Sequence, residues 1–172
     1  MIDVTELHTP VCDILKRKTP YGYRTVIQMP RAVMVVAFDN QENVHFLSEY
    51  MAPQWAYINT FAKGAIEPSE SPENAARREL AEELGLGANT LEPLLKLKNQ
   101  PSYSTAETFV FVARGCTPLA QPTLGDEPTG SIRHKSMPWH ALFVERNNIF
   151  SCARSLAAIG ELIAQNVHKM ST

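Results

Sequence analysis

Three glutamates, Glu79, Glu82 and Glu83, stand within the run Arg77-Arg78-Glu79-Leu80-Ala81-Glu82-Glu83-Leu84. On a helix the i, i+3 and i+4 spacing gathers them on one turn. Like charges at that spacing destabilise a helix by roughly 0.2–0.5 kcal/mol per pair, and acids toward the C-terminal end also oppose the helix dipole. A cation must offset the cluster. Arg77 and Arg78 could do so, leaving a solvated charged face. A hard divalent ion could do so too, since Mg2+ is held by one or two carboxylates while it keeps waters and takes substrate phosphates. The helix by itself leaves both readings open.

The elements that must position these acids are marked by local signals. Ser71 suits an N-cap, Pro72 the first helical position, and Gly85 a left-handed C-terminal cap, which predicts a helix over Pro72–Leu84. Ala76, Leu80 and Leu84 recur every four residues and face the core, which puts the acids on a different, exposed face. Strands are predicted at Tyr23–Met29, Ala32–Phe38 and Val44–Tyr50, with a turn at Asp39–Asn43, and further on at Leu94–Leu97, Thr108–Ala113 and Ser131–Met137. A second helix, Ser151–Val167, carries Cys152, Leu156, Ile159 and Ile163 on one face. The layout is mixed α/β with both helices packed on sheet. Between Thr117 and Gly130 lie Pro118, Pro122, Gly125, Pro128 and Gly130 without periodicity, a candidate active-site loop.

Composition bounds the function. With 172 residues, 44% hydrophobic and 20% charged, the chain is expected to form one domain over residues 1–172. A net charge of −2 supplies no global basic field for nucleic acid, so a polyanionic substrate must meet local cations. The longest apolar run, Ala32–Phe38, falls far short of the roughly 20 residues that span a bilayer, so no membrane anchoring is expected. The acidic, polar start Met1–Pro10 does not read as a secretion signal. Cys12, Cys116 and Cys152 are far apart and form no CxxC, so they read as reduced thiols in a cytoplasm. His8, His45, His134, His140 and His168 show no ligand spacing and read as surface or satisfied side chains, and Trp55 and Trp139 as core or interface residues.

A longer pattern decides how the acids are read. Gly64 is followed by five residues, Glu70, seven residues, then Arg78, Glu79, Leu80, Ala81, Glu82, Glu83, Leu84, Gly85 and Leu86. This resembles the Nudix box, GX5EX7REUXEEXGU, at every fixed position, here residues 64–86. The resemblance implies a Nudix-type α/β/α sandwich with a mixed sheet. It implies Glu79 and Glu83 as principal Mg2+ ligands, with Glu82 nearby and the Lys63 backbone carbonyl as a further ligand, Mn2+ being able to substitute. Glu82 and Glu83 would serve catalysis through that metal. Glu70 would pair with Arg78 and hold the loop to the helix, Gly64 and Gly85 being the structural glycines of the box.

The likeness runs from about Arg31 to Gln165 and is similar to the ADP-ribose pyrophosphatase branch, especially bacterial ADP compounds hydrolases. Phe61-Ala62-Lys63-Gly64, Gly87-Ala88-Asn89 and Pro101, fifteen residues past Leu86, carry it. Gly125-Asp126-Glu127-Pro128 resembles the acidic loop whose glutamate activates the attacking water, which makes Glu127 the candidate base. The implied reaction is hydrolysis of the pyrophosphate of a nucleotide such as ADP-ribose, to AMP and ribose 5-phosphate, with NADH and diadenosine polyphosphates as further candidates. Arg31 and Tyr103 are candidate phosphate or adenine contacts. Tyr57, Ile58 and Asn59 depart from the branch by standing where many members carry a glutamate before the box. The resemblance also implies a homodimer in which N-terminal strands, about residues 1–30, cross to the partner. The alternatives are a Nudix hydrolase of another nucleoside diphosphate derivative and a non-catalytic nucleotide sensor. A sensor would be expected to lose box carboxylates, and Glu70, Glu79, Glu82 and Glu83 are all present.

Overall fold

The apolar run at residues 32–38 becomes the centre of the main sheet. In the computed structural model, which describes residues 3–120 and 131–170, it forms β4 (Ala32–Asp39), whose residues from Val33 to Phe38 are all buried. β4 lies parallel to β10 (Glu107–Pro118) and is covered on both faces, the situation in which a strand reads as continuous hydrophobic sequence. The remaining ladders are antiparallel: β5 (Asn43–Met51) and β7 (Ala62–Ala65) on β4, β6 (Ala56–Thr60) and β11 (Ile132–Pro138) on β5, β8 (Leu86–Gly87) and β9 (Thr90–Lys98) on β10. The sheet therefore has eight strands and is mixed.

Period-two alternation along β4 assigns the two faces. Val33, Val35 and Ala37 join Leu47, Ala62, Ala76, Leu80 and Leu84 under α1 (Pro72–Leu84). Met34, Val36 and Phe38 join Phe61, Leu142, Phe150 and Ile159 under α2 (Trp139–Ile149) and α3 (Ala153–Met170). The result is the expected α/β/α sandwich. A separate antiparallel sheet of β1 (Asp3–His8), β2 (Asp13–Thr19) and β3 (Gly22–Gln28) precedes it. It is tied on where the Ile27 N–H donates to the Tyr103 carbonyl at 2.8 Å and the Thr105 N–H donates to the Ile27 carbonyl at 3.0 Å.

The helix over the box has the expected bounds, because its signals are local. The Ser71 side chain accepts from the Asn74 N–H at 3.1 Å, and Gly85 takes φ 65°, where a side chain would be strained. The second expected helix begins at Ala153 rather than Ser151. Several elements lie outside the expectations. β1 is exposed throughout, β2 buries only Leu15, β7 is the short run Ala-Lys-Gly-Ala, and α2 buries only Leu142 among its residues, so none carries strong periodicity. Trp55 is not a core residue: it is 84% exposed in a left-handed conformation, whereas Trp139 packs edge-on against Phe38 at 5.4 Å. The three cysteines are free thiols. Among the described residues no helix is long and apolar enough to cross a membrane.

Candidate active site

β7 and α1 meet face to face, and their contact fixes the acids. β7 pairs with β4 so that Gly64 lies opposite Val33 and Lys63 opposite Met34. A Cβ on Gly64 would sit 1.9 Å from a Glu79 carboxylate oxygen, so any larger residue there would displace the Glu79 carboxylate from its place against β7. Glu79 is thereby only 7% exposed, which corrects the expectation that all three helix acids line an open surface. It shares the buried side of the helix with Ala75, Ala76, Leu80 and Leu84.

Arg78 organises the cluster. Its guanidinium grips Glu70 through two bonds of 3.1 Å, donates to Glu79 at 2.7 Å and Glu82 at 2.9 Å, and reaches the Ala65 carbonyl at 2.9 Å. The fork geometry of arginine allows these contacts at once. Arg78 holds its proton more tightly than an ordinary arginine, first because of the bonds to Glu70 and then those to Glu79 and Glu82. Glu70 falls below the usual carboxylate range, chiefly through the same arginine.

Glu83 lies on the other side of this network. Its Oε2 accepts a 2.7 Å bond from the Lys63 backbone N–H, and the Lys63 ammonium is paired with Glu49 of β5. Burial pushes the Glu83 carboxyl up to about 7; the Lys63 charge and N–H oppose the rise, and Glu79 and Glu49 add to it. Burial likewise raises Glu79, against the pull of Arg78. Glu49, Glu70, Glu79, Glu82 and Glu83 thus face two cations, Lys63 and Arg78. Five oxygen-donor acids in surplus over two cations, with Glu79 and Glu83 both driven toward protonation by burial, fit a hard divalent ion. Among the described residues no three His, Cys, Asp or Glu side chains already converge as a metal cage. The hydrogen bonds explain it: Glu70, Glu79 and Glu82 turn to Arg78, and Glu83 turns to Lys63.

Glu49 is a residue that sequence reasoning missed. It stands fifteen positions before Gly64 and reaches the site only through the pairing of β5, where it lies opposite Ile58 of β6. Asn59, on β6 just before the box, fastens α2, its amide donating to the Ile149 carbonyl at 2.8 Å. Arg31 borders the box: its carbonyl accepts from the Ile66 N–H at 2.8 Å and its guanidinium lies 5.9 Å from the Phe109 ring centre. Tyr103 is half exposed in the β9–β10 connection, anchored to β3 through its backbone. Beside it opens a cleft of about 950 Å³, lined by Lys98, Gln100, Ser104, Cys152 and Arg154 among others. Glu127 and Asp126 lie outside the described residues.

The NUDIX domain model matches residues 28–153, most of the chain. The chain belongs to the Nudix family. The ADP compounds hydrolase of Escherichia coli is 34% identical to it over 143 residues, 80% of this chain and 75% of that protein. The ADP-ribose pyrophosphatase of Mycobacterium tuberculosis is 27% identical over 175 residues, 96% of this chain and 81% of the relative. A crystal structure of an ADP compounds hydrolase superposes with a TM-score of 0.81 at 28% identity, covering 98% of this chain and 94% of the other. The Nudix assignment, the sandwich and the expectation of a hydrolase therefore agree.

Proposed function

We propose that this Nudix hydrolase cleaves the pyrophosphate bond of ADP-containing compounds, ADP-ribose foremost, to AMP and a second phosphate product. The observation that carries the reading is the pair of buried Glu79 and half-buried Glu83 at the junction of β7 and α1, surplus oxygen-donor acids beside two cations. The names of the similar proteins support the choice of ADP compounds.

Mg2+, with Mn2+ as substitute, would be held by Glu79 and Glu83, with Glu82 and the Lys63 carbonyl beside them. When bound it supplies charge neutralisation of the phosphates and a more acidic water. The protein's own groups do the positioning. Arg78 keeps Glu79 and Glu82 oriented through its bonds to both, and its grip on Glu70 fastens the box loop to α1. The Lys63 N–H orients Glu83, and the Lys63–Glu49 pair fixes β7 against β5. Arg31, at the edge of the box, meets substrate phosphate, and the cleft beside Tyr103 takes the nucleoside. Glu127 serves as the general base. The whole chain, residues 1–172, acts as one unit in the cytoplasm, where its thiols stay reduced. It acts as a homodimer, supported by the apolar side chains of Val4, Leu7 and Tyr23 left exposed on the N-terminal sheet.

The test is a panel of ADP-ribose, NADH, diadenosine polyphosphates and sugar nucleotides without adenosine, each with Mg2+, products resolved chromatographically. AMP and ribose 5-phosphate from ADP-ribose are expected. Tight nucleotide binding without product would make the protein a sensor, and preference for a substrate lacking adenosine would overturn the substrate class.

A further inference from the structure

The β5–β11 edge brings together two histidines that lie 89 residues apart in the chain. Register places Ser136 opposite His45 and Leu47 opposite His134, so the two imidazoles are diagonal neighbours on one face. His45 Nδ1 and His134 Nε2 are 2.9 Å apart. That separation is spanned either by one shared proton or by one metal ion accepting both lone pairs. The far nitrogen of His45, Nε2, is buried, has no hydrogen-bond partner among the described residues, and lies 3.4 Å from a carboxylate oxygen of Asp39.

Asp39 is itself held rigidly. Its Oδ1 accepts from the Gln41 and Asn43 N–H groups at 2.8 and 2.9 Å, and its Oδ2 from the Asn43 side-chain amide at 3.0 Å. Burial works against its ionised form, but these hydrogen bonds hold it below the ordinary carboxylate value. The nearby Asp39 anion favours the tautomer with the proton on Nε2, in which the Nδ1 lone pair faces His134. A carboxylate on the far nitrogen is the kind of outer partner that orients metal-binding imidazoles, and here it stands 3.4 Å away. His134, an exposed residue whose ring is partly desolvated, favours its neutral, lone-pair form through that desolvation and the neighbouring His45. It sits on the exposed side of the edge strand, where water can complete a coordination shell.

We infer that His45 and His134, backed by Asp39, form a two-imidazole site for a divalent transition-metal ion of tetragonal preference, such as Ni2+ or Cu2+. The geometry chooses the class. With metal–nitrogen bonds of about 2.0–2.1 Å, a 2.9 Å separation subtends an angle of about 90°, the cis angle of a square-planar or octahedral ion, whereas a tetrahedral ion needs about 3.3 Å. The imidazole donors also separate this site from the all-oxygen cluster of Glu79, Glu82 and Glu83, which suits hard ions. A bound ion would staple β11 to β5.

The full chain, in millimolar Mg2+ so that the carboxylate cluster faces excess hard cation, is titrated with Ni2+ by calorimetry and by thermal unfolding. One Ni2+ per chain and a rise in Tm are expected. Both should weaken at least about tenfold in His134→Gln and in His45→Gln, less in Asp39→Asn, while Mg2+-dependent turnover of His134→Gln stays at the wild-type level and reports an intact fold. Undiminished Ni2+ binding in the His45→Gln/His134→Gln double variant would overturn the site. So would wild-type protein that binds no Ni2+, which would leave the pair joined by a shared proton alone.

Discussion

The box segment and the N-terminal sheet are opposite solutions to the placement of polar sequence. From β7 through α1 nearly every charged group has its partner close along the chain: Arg78 meets Glu82 four residues on and Glu70 eight residues back, and Glu83 meets Lys63 twenty back. The result is a partly buried charge network in which two carboxylates are driven toward protonation. β1 through β3 bury little, with β1 exposed along its whole length and Val4 and Leu7 each more than half accessible. Concentrated, costly charge marks chemistry, whereas the exposed apolar side chains of the N-terminal sheet are what the proposed dimer contact would have to cover.

Substitutions on each side should separate these roles. The largest effect is expected for Glu83→Gln, which keeps an acceptor for the Lys63 N–H but removes a metal ligand. kcat should fall at least about 100-fold, with the far-UV spectrum and metal-free Tm unchanged or improved. Near-normal turnover would detach the box from the chemistry. Arg78→Lys comes next, because an ammonium cannot reproduce the fork that joins Glu70, Glu79, Glu82 and the Ala65 carbonyl. A loss of about 2–4 kcal/mol in urea unfolding is expected, and a loss below about 0.5 would show that the network is ornamental.

A smaller effect follows from Glu83 alone. Its folded-state value near 7 exceeds the ordinary 4.5, so unfolding releases a proton between those limits and the metal-free chain loses stability as pH rises from about 4.5 through about 7. The wild type minus Glu83→Gln difference in unfolding free energy should change by about 1–3 kcal/mol over that window and flatten when Mg2+ is added. A flat difference without metal would contradict the buried-acid description. The smallest change in chain stability, under about 0.5 kcal/mol, is expected for Val4→Lys with Leu7→Lys on the N-terminal sheet, while sedimentation shifts from dimer to monomer. Unchanged sedimentation would remove the contact role.

What was legible in the sequence follows the same divide. Ser71, Pro72 and Gly85 bound α1 by contacts within a few residues, and the continuous apolar run of β4 announced a strand. Glu49 and the His45–His134 pair were not legible, because strand pairing creates both. β7 was missed since Ala-Lys-Gly-Ala has little strand preference of its own; its Gly64 lies where a Cβ would meet the Glu79 carboxylate. α2 was missed because its residues do not repeat an apolar face, and Leu142 alone is buried. The assumption that helix acids face water failed at Glu79: the leucine periodicity locates the core side, but the packing of β7 on α1, with Gly64 against the Glu79 carboxylate, is not written in it.

The central claim is that Glu79 and Glu83 together hold a divalent ion. Mn2+ titration of the wild type and of Glu79→Gln/Glu83→Gln, followed by electron paramagnetic resonance of free Mn2+, tests it directly. The account predicts an affinity at least about 100-fold weaker in the double variant, and an equal affinity in both proteins would contradict it.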